Sequence, residues 1–168
     1  MIKGIIYRSN TGSTKRYAEM AAEATGLTAV PIENAAGSFN RGDTVLYMGW
    51  VQAGCIMGYS RAAASYDIAA VCGVGISEQC PELIRQLRRQ NRMEGQRIKL
   101  FYLRGSIDIE RLNGIQKLLI NLVKRSLKSN KTESRSGFTA ELIERGGDFV
   151  SAESLLPVIE FIRTYNGI

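Results

Sequence analysis

The stretch YRSNTGSTKRYAEMA (residues 7–21) decides which fold the chain is expected to adopt. It follows an apolar run at 2–7 that is suited to a buried strand, and Tyr17, Met20 and Ala21 then recur at helical spacing. Between them, the six positions 9–14 hold four hydroxyl side chains, an Asn and a Gly. This order predicts a strand, a polar turn and a helix over 13–26, which Gly26 ends.

The rest of the chain alternates strand-like and helical segments. Apolar runs predict strands at 2–7, 27–32, 44–50, 68–77 and 98–105, and Pro31 places the second strand at or near an edge. Helical spacing predicts helices at 13–26, 60–66, 81–93, 112–128 and 152–165. Near-continuous apolar strands separated by helices are typical of a parallel sheet that is covered on both faces. We therefore expect an α/β fold of three layers, with a five-stranded parallel sheet and helices on both faces, in one domain over 1–168.

Composition limits the chemistry that the chain can perform. The 168 residues are 45% hydrophobic and 23% charged, as in a globular protein. The chain has no histidine, which excludes Ser-His-Asp and Cys-His catalysis and removes a common zinc ligand, so we expect no metal site. Cys55, Cys72 and Cys80 form no C-x-x-C pair, and we expect them to be reduced and mostly packed. No catalytic residue is predicted, and any chemistry must come from a cofactor, a carboxylate, a Lys or a Tyr.

The sequence also predicts a location. No apolar run has the length of a transmembrane helix, and the first residues lack the regions of a signal peptide. We therefore expect a cytoplasmic protein.

The polar turn at 9–14 has the groups that a phosphate site needs. In a parallel α/β sheet this turn lies where the first helix offers unpaired N–H groups and a partial positive charge. The spacing fits neither a Walker loop nor a G-x-G-x-x-G dinucleotide loop, which favours a terminal phosphate monoester. The alternative is a well-capped helix start, which explains one hydroxyl but not four. The candidate phosphate-binding residues are Ser9, Asn10, Thr11, Gly12, Ser13 and Thr14.

The segment SNTGST resembles the [ST]-x-T-G-x-[ST] phosphate loop of the flavodoxin family, with matches at Ser9, Thr11, Gly12 and Thr14. The order of predicted elements is also similar over nearly the whole chain. The resemblance implies a flavodoxin-like sandwich with noncovalent FMN, whose isoalloxazine ring is gripped by the loops after the third and fourth strands. In this sequence those loops are 49–54 and 75–80, and Trp50 is either a ring contact or a core aromatic. The residues implied for the ring are Gly49, Trp50, Val51, Gln52, Ala53, Gly54, Gly75, Ile76 and Ser77.

The charge of the chain departs from that family. Electron-carrier flavodoxins are strongly acidic around the flavin, whereas this chain has a net charge of +6. The two ring loops contain a single carboxylate, Glu78. Because nearby negative charge disfavours an anionic reduced flavin, we expect a less negative reduction potential here.

A basic insertion at 105–135 allows more than one kind of contact. Residues 111–131 carry six cations and no acid, and aliphatic residues within 112–128 recur at helical spacing. This helix either packs on the sheet with a solvated basic face or docks through 111–128 on a membrane surface or a partner. The segment is similar to the protoporphyrinogen-oxidase group of flavodoxin-type proteins.

Three functions follow as hypotheses. The first is an FMN oxidoreductase of that oxidase type, which takes a hydrophobic anionic substrate and lies at the inner face of the membrane. The second is a soluble electron-transfer flavodoxin with an acidic redox partner protein, and the third is an anion-binding domain without FMN. We expect no nucleic-acid binding, because the basic stretch 85–92 lacks stacking aromatics.

Overall fold

The computed structural model describes residues 1–107 and 146–167 of the chain. Its strands and helices alternate in the order that the apolar pattern predicts. In chain order they are β1 (Gly4–Arg8), α1 (Ser13–Thr25), β2 (Thr28–Pro31), a 3-10 turn (Ala35–Gly37), β3 (Thr44–Gln52), β4 (Cys55–Ile56), α2 (Tyr59–Ala63), β5 (Asp67–Gly75), α3 (Pro81–Gln90), β6 (Lys99–Arg104), β7 (Ser106–Ile107), β8 (Gly147–Asp148) and α4 (Ala152–Asn166).

Five parallel strands form the central sheet in the order β2-β1-β3-β5-β6. This confirms the predicted five-stranded parallel sheet and the edge position of the strand that contains Pro31. The chain first moves outward from β1 to β2 and then returns to the other side of β1 with β3. Such a reversal opens a crevice at the carboxyl ends of the two strands that flank it, here β1 and β3.

Helices cover both faces of the sheet, which confirms the three layers. On one face, α1 and α4 bury Tyr17, Leu155 and Ile162 against the sheet. On the other, α2 and α3 bury Tyr59 and Leu87. Apolar side chains alternate between the two faces along each strand, because successive strand residues point in opposite directions.

The structure differs from the sequence prediction at several element ends. The strand predicted at 44–50 continues to Gln52 and turns back as the antiparallel β4, where a loop was expected. The predicted helix over 81–93 ends at Gln90 because Arg88 donates to the carbonyls of Met93, Gln96 and Ile98 and so folds the chain back. The short helix predicted at 60–66 covers Tyr59–Ala63 instead.

The insertion predicted at 105–135 lies, beyond residue 107, outside the described residues, as does the whole helix predicted at 112–128. Within the described ranges, no helix has the length and apolar character needed to cross a membrane.

Candidate functional site

The turn between β1 and α1 forms an open anion cradle. Gly12 has φ of +104°, a conformation that L-residues with a side chain rarely adopt, and no atom lies within 4 Å of where a Cβ would stand. The Gly12 N–H donates to Ser9 Oγ over 3.2 Å, which closes the turn and leaves the Ser9 hydroxyl proton free to donate. No side chain caps α1. The first-turn N–H groups therefore face the space above Gly12.

A cleft of about 460 Å³ lies beside this turn. Two cations, Arg8 and Lys15, and one carboxylate, Glu33, belong to its wall, so positive charge predominates. Trp50 approaches from the end of β3, the neighbouring strand. The lining residues are Tyr7, Arg8, Ser9, Asn10, Gly12, Lys15, Pro31, Glu33 and Trp50.

The loop hydroxyls do not all face this cleft. Ser13 and Thr14 are buried under the turn. Ser13 Oγ lies 2.7 Å from Ser106 Oγ and accepts from the Ser106 N–H over 2.9 Å, so it links α1 to β7. Because α1 has no side-chain cap, helix capping does not explain the hydroxyl cluster. The hydroxyls instead build the turn around backbone amides that stay open.

The end of β3 separates the cleft from a second cavity. Trp50 lines the cleft, whereas the next residue, Val51, lines the other cavity, as expected for consecutive strand residues. Beyond Gln52, Ala53 (φ +47°) and Gly54 (φ +80°) make a two-residue turn into β4. Two successive left-handed residues are the geometry of a type I′ hairpin.

This hairpin is fixed to α3 by side-chain amides. Asn91 accepts from the Ile56 N–H over 2.8 Å and donates to the Gly54 carbonyl over 3.0 Å. A Cβ on Gly54 would collide with Gln90, and one on Gly49 would lie 2.7 Å from Ile56 Cγ2. Glycine at these two positions therefore leaves room for the side chains of Gln90 and Ile56.

The second cavity, which we call the ring crevice, measures about 590 Å³ and lies between the hairpin and the loop after β5. Its walls combine apolar side chains with two carboxylates. The lining residues are Val51, Ala53, Gly54, Gly75, Ile76, Ser77, Glu78, Cys80, Glu82, Leu83, Gln86 and Tyr102.

The loop over 75–78 is held in place from β6. The Gly105 N–H donates to the Gly75 carbonyl over 2.7 Å, and the Tyr102 hydroxyl donates to the Ser77 carbonyl over 3.1 Å. Burial raises the pKa of Tyr102 to about 12, so its hydroxyl remains a donor at neutral pH. A Cβ on Gly75 would stand 2.5 Å from the Tyr102 oxygen, which requires glycine there.

The N–H groups of the same loop remain available. Those of Ile76, Ser77 and Glu78 donate to no residue that the structure describes. Arg104 forms an ion pair of 3.5 Å with Glu78. A flat ligand with several acceptors along one edge fits a crevice of this kind.

The two cavities bring together ten of the fifteen predicted binding residues. The cleft collects Ser9, Asn10, Gly12 and Trp50, and the ring crevice collects Val51, Ala53, Gly54, Gly75, Ile76 and Ser77. The other five, Thr11, Ser13, Thr14, Gly49 and Gln52, line neither cavity.

Sequence reasoning missed several lining residues. Lys15 directly follows the loop and could have been found from its place in the first helical turn. Tyr102 lines the ring crevice from β6, and only the pairing of β6 with β5 brings it to the loop over 75–78.

All three cysteines are free, as predicted. Cys72 is buried in the core, Cys80 lines the ring crevice and Cys55 is exposed on β4. In the described part of the chain, no group of three or more acidic or cysteine side chains could hold a metal ion.

The described residues on either side of the segment 108–145 contact α1. Its flanks, β7 and β8, pair with each other. Ser106 in β7 bonds to Ser13, and Asp148 in β8 lies 2.6 Å from Arg16. The hydrogen bond from Arg16 lowers the pKa of Asp148. The described residues that flank 108–145 are thus bonded to the first turns of α1.

Comparison with known proteins agrees with this geometry. No curated protein matches the chain. A family described as "Flavodoxin domain" matches residues 4–135, well over half of the chain. Members of this family usually bind FMN, and the match does not extend to the protoporphyrinogen-oxidase group. The parallel sheet, the open first turn and this match together show that the chain belongs to the flavodoxin family.

Proposed function

We propose that the chain binds FMN noncovalently and works as a redox protein. The observation that carries this proposal is the uncapped start of α1, where Gly12 at φ +104° opens onto a cleft that holds Arg8 and Lys15. Backbone N–H groups, a helix N-terminus and two cations suit a phosphate monoester.

The remaining residues fit the rest of FMN. Ser9 and Asn10 would donate to the phosphate beside the first-turn amides of Ser13 and Thr14, with Trp50 at the same cleft. The ring would lie in the ring crevice, between the hairpin and the loop of Gly75, Ile76 and Ser77. The free N–H groups of that loop suit the acceptors of the pyrimidine edge. When bound, FMN supplies the electron-transfer chemistry, while the chain binds it, orients it and sets its electrostatics.

A comparison of FMN with riboflavin tests the two cavities separately. Apoprotein is titrated with each flavin while flavin fluorescence is followed. We expect FMN to bind at least about tenfold more tightly, because riboflavin lacks the group that the cleft holds. Equal affinities would show that the cleft is not a phosphate site.

A second candidate is an oxidoreductase of the protoporphyrinogen-oxidase type. What favours it is that the described residues flanking 108–145 bond to α1, Ser106 to Ser13 and Asp148 to Arg16, and that α1 directly follows the turn that lines the cleft. That position would bring a hydrophobic anionic substrate or a membrane surface close to the flavin. The test is oxidation of a porphyrinogen with a quinone or dye acceptor, together with sedimentation on anionic liposomes. Activity without an added electron-carrier protein would favour the oxidase over an electron carrier that works in the cytoplasm.

A further inference from the structure

We propose that Arg104 sets the reduction potential of the bound flavin by neutralising Glu78, an inference that rests on the proposed function. Arg104 ends β6 and stands in register with Gly75, the residue at which the loop over 75–78 begins. The side chain therefore lies one strand away from the ring crevice.

Two contacts hold the guanidinium beside this loop. Arg104 Nη1 lies 3.5 Å from Glu78 Oε1, and Arg104 Cζ lies 3.9 Å from the centre of the Phe149 ring. A guanidinium over an aromatic face is attracted by the ring, and this contact comes from the chain that returns through β8. Glu78 lines the crevice, so it is the member of the pair that borders the space assigned to the ring, and Arg104 lies directly behind it.

Burial distinguishes this pair from the other ion pair of the crevice. The difference lies in the cation: the Glu78 side chain is 64% exposed, but that of Arg104 is only 28% exposed, and its Nε is buried without an acceptor among the residues that the structure describes. Glu82, the second lining carboxylate, pairs with Arg85 over 2.8 Å, but both of these side chains are more than 70% exposed. Solvent screens an exposed pair, whereas a partly buried charge acts over a longer distance.

The sign of the effect follows from electrostatics. Reduction of the bound flavin by two electrons and one proton leaves one additional negative charge in the crevice. An uncompensated Glu78 would oppose this gain, whereas an uncompensated Arg104 would favour it. With both present, the loop is close to neutral, unlike the acidic surroundings implied by the family resemblance.

Anaerobic redox titration of the FMN-loaded protein tests the proposal. We expect Arg104→Gln to lower the midpoint potential and Glu78→Gln to raise it, with the double variant near the unsubstituted protein. Each single change should alter the ratio of affinities for reduced and oxidised flavin by on the order of tenfold. For a two-electron couple, this factor corresponds to about 30 mV.

The opposite signs of the two expected potential shifts distinguish an effect of charge from an effect of altered loop structure. A variant that only loosened the loop would weaken FMN binding in both single substitutions, and the double variant would not restore it. Arg97→Gln is the matched control, because it removes the same charge from a residue that precedes β6. The first residue of β6, Lys99, already lies about 17 Å along the strand from Arg104. Arg85→Gln should give a smaller shift than Arg104→Gln.

The outcomes can be told apart. Shifts of the same sign, or unshifted potentials in FMN-loaded variants, would overturn this proposal alone. If Arg104→Gln does not fold, the Glu78→Gln variant tests the proposal by itself. An unchanged or lowered potential in Glu78→Gln would then overturn it. Unsubstituted protein that takes up no FMN would overturn the proposed function and this proposal with it.

Discussion

At the scale of single residues, the backbone conformation of Gly12 shapes the cleft. Its φ of +104° orients the turn so that the α1 amides stay open, and its own N–H is used by Ser9. No neighbouring atom would exclude a side chain at this position, because none lies within 4 Å of where a Cβ would stand. The need for glycine is therefore one of backbone conformation.

Gly12→Ala should weaken FMN binding by about tenfold or more, because a left-handed alanine costs on the order of 1–2 kcal/mol and the turn relaxes away from this conformation. Gly26→Ala is the matched control. Gly26 also has a positive φ (+70°) and open space, but it lies at the other end of α1. Both variants should unfold at a lower temperature, and only the first should lose FMN affinity. Equal FMN affinities, measured by fluorescence titration, would contradict this role for Gly12.

The ionisation of Tyr102 should lower the stability of the folded protein at alkaline pH. Its pKa is raised by burial to about 12 in the folded protein and returns to about 10 when the chain unfolds. The contribution of its neutral form is thus fully present below pH 10 and is lost as the pH rises towards 12.

Tyr102→Phe should reduce this loss between pH 10 and 12, and should destabilise the protein at pH 7 by about 1 kcal/mol through the lost bond to Ser77. Tyr66→Phe is the control, since its hydroxyl bonds to no described residue and its ring packs on Phe39 and the core, which phenylalanine would preserve. Chemical denaturation at pH 7, 10 and 12 measures both effects. An alkaline profile that Tyr102→Phe leaves unchanged would count against the assignment.

At the scale of elements, the β3–β4 hairpin shapes the site. It separates the cleft from the ring crevice, and the Asn91 side chain fastens it to α3. Asn91 also donates to the Leu87 carbonyl, so one amide ends the helix and holds the hairpin.

Asn91→Ala should therefore destabilise the protein by about 2 kcal/mol, because it leaves the Ile56 N–H and the Gly54 carbonyl without partners. It should also weaken the binding of riboflavin, which depends on the ring crevice alone. Asn34→Ala serves as the control, because the Asn34 side chain caps nothing. A riboflavin affinity that is the same in both variants would show that the hairpin does not form the ring site.

The sequence predicts most elements because apolar spacing follows the burial of each strand and helix. It misses the hairpin, since the usual Asn-Gly or Asp-Gly signal is replaced by Ala53-Gly54, and a left-handed alanine is unusual. It misses the end of α3, which depends on Arg88 and its three carbonyl partners. The bond between Ser13 and Ser106 joins residues 93 positions apart, so local spacing contains no trace of it.

At the scale of the whole molecule, the net charge of +6 suggests the kind of partner. A cationic protein attracts acidic proteins over long distances, and this attraction weakens as salt screens it. An electron-carrier role thus points to an acidic partner.

Reduction of the FMN-loaded protein by an acidic electron-carrier protein should slow by about tenfold or more between low and high salt. Stopped-flow absorbance at two ionic strengths measures this, with dithionite as the reductant in the control reaction. The dithionite rate should change much less. If the rate of reduction by the carrier protein does not change with salt, charge is not what selects the partner.

The central claim is that this chain holds FMN between the cleft and the ring crevice. The most direct measurement is the visible spectrum of the purified protein, before and after addition of FMN and removal of the excess. We expect a yellow protein with a bound-flavin band at about 450 nm and one FMN per chain. Colourless protein that retains no added FMN would contradict it.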